Sequence, residues 1–407
     1  MLFKEVIAQD AAKQNLIEMV EHNRLSHALL FLGKEGSGAL PLALAFSQYV
    51  SLLPLRNQPN LPEASLFEAG IEWKLPATAT EADAWMQNQP SFGKAHGLVH
   101  PDIHYSYPVV TKKAGSPPLS TDYIAEWREF IEQFPYGNIY DWLQFIGAEN
   151  KQGNITAQEC NDIIHKLSLK SFESGYKILV MWMPEYLGRE GNKLLKLIEE
   201  PPPDTLFILV AETESQILST ILSRCQLVRI PALETIDIEK ALLAKNAGEP
   251  EKLRIISGSC HGNYREAIQL LQNADEDFHS LLRDWLNTVL KHQVVILVKI
   301  IEDIARLGRE KQKQFLKFFT HLLEQAVRIE AVGIERGAKF QQGLGSAEME
   351  FIAKLNKAMS LEQKEAIANE LDHAAYHIER NANAKILFHA LSIRIFHIVK
   401  NNIVVEG

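Results

Sequence analysis

The residues with the most explicit chemical pattern occupy positions 33 to 40 and read Gly33-Lys34-Glu35-Gly36-Ser37-Gly38-Ala39-Leu40. Their spacing resembles the phosphate-binding loop G-x-x-x-x-G-K-[ST], in which backbone N–H groups cradle phosphates. Gly33 and Gly38 keep the glycine spacing of that loop. Ala39 replaces the lysine that reaches the β- and γ-phosphates, and Leu40 replaces the hydroxyl that holds Mg²⁺. The sequence predicts the shape of a nucleotide site without two of its reactive side chains.

Two interpretations of this loop remain open. The backbone N–H groups of residues 36–39 and the following helix N-terminus favour an anion, which would allow residual nucleotide binding. Alternatively, the loop is only a tight turn from a strand into a helix. Lys34 lies on the wrong side of the loop to replace the missing lysine. We expect no bound cofactor.

A second site is expected at the end of the apolar run 177–183. In phosphate-loop ATPases, an acidic pair at the end of such a strand holds Mg²⁺ and helps to position the attacking water. Trp182 and Met183 occupy these positions here, and the nearest acid, Glu185, follows Pro184 out of register. Because two losses affect one metal site, the sequence predicts no intrinsic ATP hydrolysis.

A third candidate is the tripeptide Ser223-Arg224-Cys225. An arginine at the end of a helix beside a sheet is commonly a surface salt-bridge partner. It also suits an arginine finger, which stabilises charge on a phosphoryl group bound to a neighbouring subunit. The residues alone leave both roles open.

The elements that must position these residues follow from periodicity and apolar runs. A strand over 27–32 leads into the loop, and a helix over 42–53 follows it. Further strands are predicted at 177–183, 205–211 and 226–230, and further helices at 9–22, 156–169 and 189–199. Apolar strands without alternation, separated by helices, predict an α/β fold with a parallel sheet covered by helices on both faces.

Changes of pattern along the chain predict three domains. Residues 1–231 form the α/β domain, with an irregular, proline-rich insertion over 54–123. Residues 232–275 form a small helical domain. Residues 276–407 are amphipathic and helical throughout, which is typical of a helical bundle.

Composition narrows the classes of function. The chain has 407 residues and a net charge of −9, which argues against a protein that grips DNA on its own by a basic surface. Three distant cysteines, Cys160, Cys225 and Cys260, suggest neither a disulfide framework nor a zinc site. There is no signal-peptide pattern and no apolar run of about 20 residues, so we expect a cytoplasmic location and no membrane partner.

Four segments together resemble the bacterial DNA polymerase III clamp-loader subunits, which are AAA+ proteins. The segments are 24–31, 194–202, 205–209 and 221–226, and their order and spacing match as well. The resemblance covers residues 1–55 and 150–275. It implies an AAA+-like parallel sheet, a small helical lid domain over 232–275 and a C-terminal, collar-like oligomerisation domain over 276–407.

The family contains an ATP-hydrolysing gamma/tau type and a delta-prime type without a working site. The altered loop, the missing acidic pair and the intact Ser223-Arg224-Cys225 resemble the delta-prime type. This implies that Arg224 acts in trans on the nucleotide of an adjacent ATP-bearing subunit. Ala211 lies near the position of a polar sensor residue in the active type. Arg265 matches the arginine of the second sensor motif, with a structural ion pair as its alternative role.

The resemblance also sets expectations for metals and partners. The family commonly carries a four-cysteine zinc module, but residues 54–97 contain no cysteine, so no zinc is expected. His100 and His104 have a spacing that suits a metal only on a helix, which Pro101 argues against. The expected partners are subunits of the gamma/tau and delta types and, through the holoenzyme, the sliding clamp and primed DNA. The alternatives are an active gamma/tau-type ATPase and an inactive AAA+ adaptor outside replication.

Overall fold

The computed structural model describes residues 1–53, 75–112, 115–149, 151–272, 278–332, 346–379 and 382–401. The chain forms two compact units. The first comprises Met1–Asn246 and Cys260–Ile268, and the second comprises Ala247–Ser259 and Gln269–Gly407. The three-domain division drawn from the sequence stays a prediction.

A five-stranded parallel sheet forms the centre of the first unit. Its strands are β1 (Ala28–Gly33), β2 (Ile103–Ser106), β3 (Lys177–Trp182), β4 (Thr205–Ala211) and β5 (Gln226–Ile230). They are arranged in the order β2-β3-β4-β1-β5, and all four neighbouring pairs are parallel. Since consecutive strands run in the same direction, every connection must cross over the sheet, and helices fill these crossovers.

Both faces of the sheet are buried, which explains why the strands lack a polar alternation. In β1, Leu29 and Phe31 belong to one apolar cluster, whereas Ala28 and Leu30 belong to the cluster on the other face. Successive side chains of a strand point to opposite faces, so a strand covered on both sides must be apolar at every position. The predicted fold class, an α/β fold with a parallel sheet between two layers of helices, is confirmed.

The helices of the first unit agree with most sequence predictions. They are α1 (Asp10–Glu21), α2 (Ala39–Ser51), α3 (Ala79–Gln87), α4 (Phe92–His96), α5 (Ile124–Gln133), α6 (Ile139–Phe145), α7 (Ala157–Ser168), α8 (Leu195–Glu199), α9 (Ser219–Leu222) and α10 (Thr235–Ala244). The 3₁₀ helices of this unit span Phe3–Glu5, Ser120–Tyr123, Pro184–Leu194 and Glu214–Gln216. The helix predicted over 189–199 is therefore a 3₁₀ segment followed by a short α-helix.

Thr156 and Glu159 have the spacing of a capping box at the start of α7, but the box forms only in part. The Thr156 hydroxyl accepts the Glu159 N–H at 3.2 Å, as an N-cap should. The Glu159 carboxylate does not return to Thr156. It accepts the N–H of Ser120 at 2.9 Å and its hydroxyl at 2.6 Å. The tertiary contact has replaced the local one.

The stretch predicted as an irregular insertion contributes a strand to the main sheet. β2 lies within it and pairs with β3, with Ile103 opposite Ile178. The strand was not predicted because it is four residues long and bounded by Pro101 and Pro108. Residues 54–74 and 113–114 of the predicted insertion lie outside the described residues.

The second unit is helical in the part that the structure describes. Its helices include α11 (Pro250–Ser259), α13 (Phe278–Leu290), α14 (Val294–Arg306), α15 (Arg309–Val332), α16 (Ser346–Ala358), α17 (Leu361–Glu379) and α18 (Ala384–Asn401). Between α11 and α13 in the chain, helix α12 spans Tyr264–Gln272. Trp285 lies in the core, and its indole N–H donates to the Ser392 hydroxyl at 2.9 Å. The predicted helical C-terminal region is confirmed.

None of the helices in the described ranges combines the length and the apolar character that a membrane span requires.

Candidate functional site

The phosphate-loop sequence lies between β1 and α2, as predicted. β1 ends at Gly33 and α2 begins at Ala39, with Gly38 as its N-cap. Gly36 has a φ of 72° and Gly38 a φ of 94°, both in the left-handed region that favours glycine. The glycines therefore shape the turn, independently of any ligand.

The loop packs closely against other parts of the first unit. A Cβ atom on Gly36 would clash with Oδ1 of Asn263, and one on Gly38 would lie 3.2 Å from the ring of Tyr136. The Tyr136 hydroxyl in turn accepts the N–H of Ile7 at 2.8 Å. The space in which a bound phosphate chain would run is thus flanked by side chains of the protein itself.

Little free volume remains in front of the loop. The cavity there measures about 20 Å³ and has walls formed by residues of the loop, of α2, of the 135–137 segment and of the ends of β3 and β4. Among the lining residues are Gly33, Gly36, Gly38, Ala39, Leu40, Trp182 and Ala211. A cavity of this size accommodates about one water molecule, whereas small-molecule sites measure about 300–1,000 Å³.

Glu35 lies in the middle of the loop and is the hub of a polar network. Its carboxylate accepts the side-chain amide of Asn138 at 2.9 Å and that of Asn263 at 3.0 Å. It also accepts Nη1 of Arg265 at 3.0 Å. The loop therefore already carries an anion, which holds amide and guanidinium donors.

Arg265 is buried, with 5% of its surface exposed, and it is held from a second side. Its guanidinium also contacts Asp141 through Nε and, at 2.6 Å, through Nη2. Asp141 belongs to a capping box with Asn138 at the start of α6. The geometry therefore supports the structural ion-pair role for Arg265, since two carboxylates occupy its guanidinium.

At the end of β3, an aromatic side chain is packed where an ATP-hydrolysing phosphate-loop protein has acidic residues. Trp182 is 3% exposed and its ring lies 5.3 Å from that of Trp127 and 6.1 Å from that of Phe130. Met183 is buried, with a φ of 58°. Neither side chain offers an oxygen ligand for Mg²⁺.

Glu185 is committed to a backbone contact. One carboxylate oxygen, Oε1, accepts the N–H groups of Glu212 at 2.7 Å and Thr213 at 2.9 Å, just after β4. Its other oxygen is buried and has no hydrogen-bond partner among the described residues. Burial raises the pKa of this carboxyl group above its ordinary value, against the opposing effect of the backbone donors.

Arg224 lies just after α9 and is 30% exposed at its side chain. Its Nε and Nη2 atoms both donate to Oε1 of Glu199, with a distance of 2.7 Å from Nε. Its Nη1 donates to the carbonyl of Thr220 at 2.6 Å and to the hydroxyl of Ser223 at 3.1 Å. The salt-bridge role that the sequence left open is thus present within the chain, and the guanidinium still reaches solvent.

The other candidates have ordinary structural surroundings. His104 lies on β2, not on a helix, and burial lowers its pKa to about 4. His100 precedes the strand, and its Nε2 lies 3.3 Å from the carboxylate of Glu173. Burial raises the pKa of Cys225 to about 11, which keeps this thiol protonated beside Arg224.

The residues that close the loop were not predicted from the sequence. Glu35 carried a signal, because an acid within a phosphate-binding motif is unfavourable for a polyphosphate ligand. Tyr136, Asn138 and Asp141 come from a segment about 100 residues away, and nothing in their local pattern connects them to the loop.

Comparisons with known proteins support the resemblance. Residues 125–234 match the family described as DNA polymerase III, delta subunit. DNA polymerase III subunit delta' of Bacillus subtilis (strain 168) is 24% identical over 260 residues, covering 63% of this chain and 57% of that protein. Subunit gamma of Buchnera aphidicola subsp. Schizaphis graminum is 32% identical over 149 residues, covering 35% and 40%.

The chain thus spans about half the length of these curated relatives. A DNA polymerase III gamma subunit-related protein from Thermotoga maritima is a structural neighbour, with 14% identity, a TM-score of 0.39 and coverage of 94% of this chain and 98% of that one. A delta' subunit of Haemophilus influenzae is 29% identical over 210 residues, covering 43% of this chain and 63% of that protein. The predicted resemblance is confirmed: the chain is similar to DNA polymerase III subunits of the delta' and gamma types.

Proposed function

We propose that this protein is a clamp-loader subunit of the delta-prime type, which hydrolyses no ATP itself and presents Arg224 to the nucleotide of a neighbouring subunit. The observation that carries the proposal is the closed loop. A cavity of about 20 Å³ remains where a nucleotide's phosphates would lie. Such a space leaves little room for a triphosphate in front of the loop.

The chemistry of the lining supports the same conclusion. Ala39 and Leu40 provide neither the cation nor the hydroxyl that the β- and γ-phosphates and Mg²⁺ require. Trp182 contributes an aromatic ring where a carboxylate would hold the metal. Within the loop, Glu35 holds the Arg265 guanidinium, which a polyphosphate would otherwise attract.

Arg224 would give this protein a role in a complex, at the nucleotide site of a neighbouring subunit. A guanidinium held near solvent by a backbone carbonyl suits the stabilisation of charge on a transferring phosphoryl group, an effect of roughly 10³–10⁵ in rate. The relatives are subunits of DNA polymerase III. The proposed partners are subunits of the gamma/tau and delta types and, through the assembly, the sliding clamp and primed DNA.

The second candidate is an active gamma/tau-type ATPase, and the match to a gamma subunit at 32% identity favours it. Steady-state ATPase measurement on the purified chain with ATP and Mg²⁺ separates the two. We expect no turnover above that of a buffer blank. Turnover that disappears in the Lys34→Ala or Glu185→Gln variant would instead establish the active type.

The role of Arg224 is tested in a clamp loader reconstituted with the other subunits. We expect Arg224→Ala to reduce DNA-stimulated ATPase activity by at least about tenfold, with the complex still assembled. Arg189→Ala is the matched control, because Arg189 is also exposed and precedes Glu199 in the same region of the chain. Equal activities of the two variants would contradict the assigned role.

A further inference from the structure

Within its own chain, Arg224 forms an ion pair with the carboxylate of Glu199. Glu199 is the last residue of α8, and its side chain is 45% exposed. Its Oε1 accepts both Nε and Nη2 of Arg224. These two donors form the edge of the guanidinium that binds carboxylates and phosphates in a fork.

The remaining contacts of Arg224 involve a different edge. Nη1 donates to the Thr220 carbonyl at 2.6 Å and to the Ser223 hydroxyl at 3.1 Å. Both acceptors are neutral groups within four positions of Arg224. These two acceptors hold the guanidinium through Nη1. Its Nε and Nη2 donors stay available to an anion.

We propose that Glu199 is a stand-in for the phosphate of the neighbouring subunit's nucleotide, which displaces this carboxylate when the finger engages. The inference rests on the proposed function of Arg224. The carboxylate and the phosphate seek the same two N–H donors, so they compete. Thr220 and Ser223 keep the guanidinium oriented during the exchange.

The strength of the pair suits such an exchange. An exposed ion pair shifts an equilibrium by only up to about fivefold, because water and salt screen it. A nucleotide phosphate carries more charge than a carboxylate and offers several acceptor oxygens. Glu199 therefore delays engagement without preventing it, and it is a positioning residue.

The position of Glu199 explains why this residue, and not the adjacent acid, pairs with Arg224. A carboxylate at the C-terminal end of a helix is disfavoured by the helix dipole. Arg224 compensates that charge across the connection through β4. The adjacent acid, Glu200, is exposed, and no contact joins it to Arg224 among the described residues.

The test uses the assembled clamp loader with ATP, Mg²⁺ and primed DNA. Glu199→Gln removes the competing charge while preserving the shape of the side chain. We expect it to lower the KM for ATP by about two- to fivefold with kcat unchanged or raised. Glu200→Gln is the matched control and should leave both constants unchanged. An unchanged or raised KM in Glu199→Gln would overturn the inference.

A double variant separates this inference from the proposed function. If Glu199 acts through Arg224, adding Glu199→Gln to Arg224→Ala changes nothing further. An additional KM effect in the double variant would overturn the inference. If Arg224→Ala alone leaves the ATPase activity intact, the proposed function fails. If Arg224→Ala is impaired while Glu199→Gln matches the wild type, only the stand-in role fails.

Discussion

Arg265 donates through Nη1 to the carboxylate of Glu35 at 3.0 Å and so joins the phosphate-loop sequence to a residue 230 positions later. In an open phosphate loop, nucleotide oxygens would be the anions available to such a guanidinium. Here a side chain of the loop provides the anion. The ion pair thereby fixes the loop to α12 within the first unit.

This buried network predicts a stability effect for Arg265→Ala. The substitution leaves Glu35 and Asp141 partly buried without their shared cation. Removing one partner of a buried ion pair costs about 3 kcal/mol or more, because the remaining charge is uncompensated. Urea unfolding followed by tryptophan fluorescence measures this loss.

The exposed residue Arg189 provides the matched control. Arg189→Ala should change stability by less than about 0.5 kcal/mol, as is usual for surface substitutions. Similar urea midpoints for Arg265→Ala and Arg189→Ala would show that the network contributes little to stability.

The loop glycines give a second prediction. Gly36→Ala should destabilise the protein by at least about 1–3 kcal/mol, because the new Cβ meets Asn263 and the φ of 72° is unfavourable for alanine. Gly93→Ala is the control, since Gly93 lies in helix α4 and no neighbouring atom lies within 4 Å of the place that an alanine Cβ would take. That change should be neutral or stabilise by up to about 1 kcal/mol. Thermal melts of both variants provide the comparison.

Much of the first unit was predictable because its strands and helices have local signals. The apolar runs that form β1, β3, β4 and β5 are long enough to be recognised, and glycine spacing marks the turn into α2. β2 was missed because its short sequence, Ile103–Ser106, includes His104 and lies between prolines. Its strand conformation depends on pairing with β3, which local sequence does not encode.

The candidate site was predictable only in part. The sequence motif shows which side chains are lost, such as the lysine that Ala39 replaces. It does not show which side chains pack against the loop, because Tyr136 and Asp141 reach the loop through tertiary folding. Likewise, the tripeptide around Arg224 predicts a useful guanidinium, but its pairing with Glu199 is a property of the fold.

Glu185→Gln gives a prediction about pH. A glutamine keeps one oxygen to accept the N–H groups of Glu212 and Thr213 and removes a desolvated charge. Because burial raises the folded-state pKa of Glu185, its stabilising contribution is complete at pH values below the unfolded pKa and is lost as pH rises through the folded one. Glu185→Gln should therefore be more stable than the wild type at about pH 7, and the difference should shrink towards about pH 4.

Urea midpoints measured at intervals between about pH 4 and pH 7 test this. Glu214→Gln is a suitable control, because Glu214 is exposed and belongs to the neighbouring 3₁₀ helix Glu214–Gln216. A difference between Glu185→Gln and wild type that is constant across this range would contradict the assigned burial effect.

Restoring the loop sequence gives the last prediction. The double change Ala39→Lys with Leu40→Thr recreates the G-x-x-x-x-G-K-T pattern. We nevertheless expect no ATPase turnover, because Trp182 still occupies the metal-ligand position and Tyr136 still lines the cavity of about 20 Å³ in front of the loop. A fluorescent ATP analogue titrated onto the double variant measures binding, and phosphate release measures turnover. Turnover in the double variant would show that the two loop residues alone silence the site, whereas binding without turnover would assign the remaining defect to the end of β3.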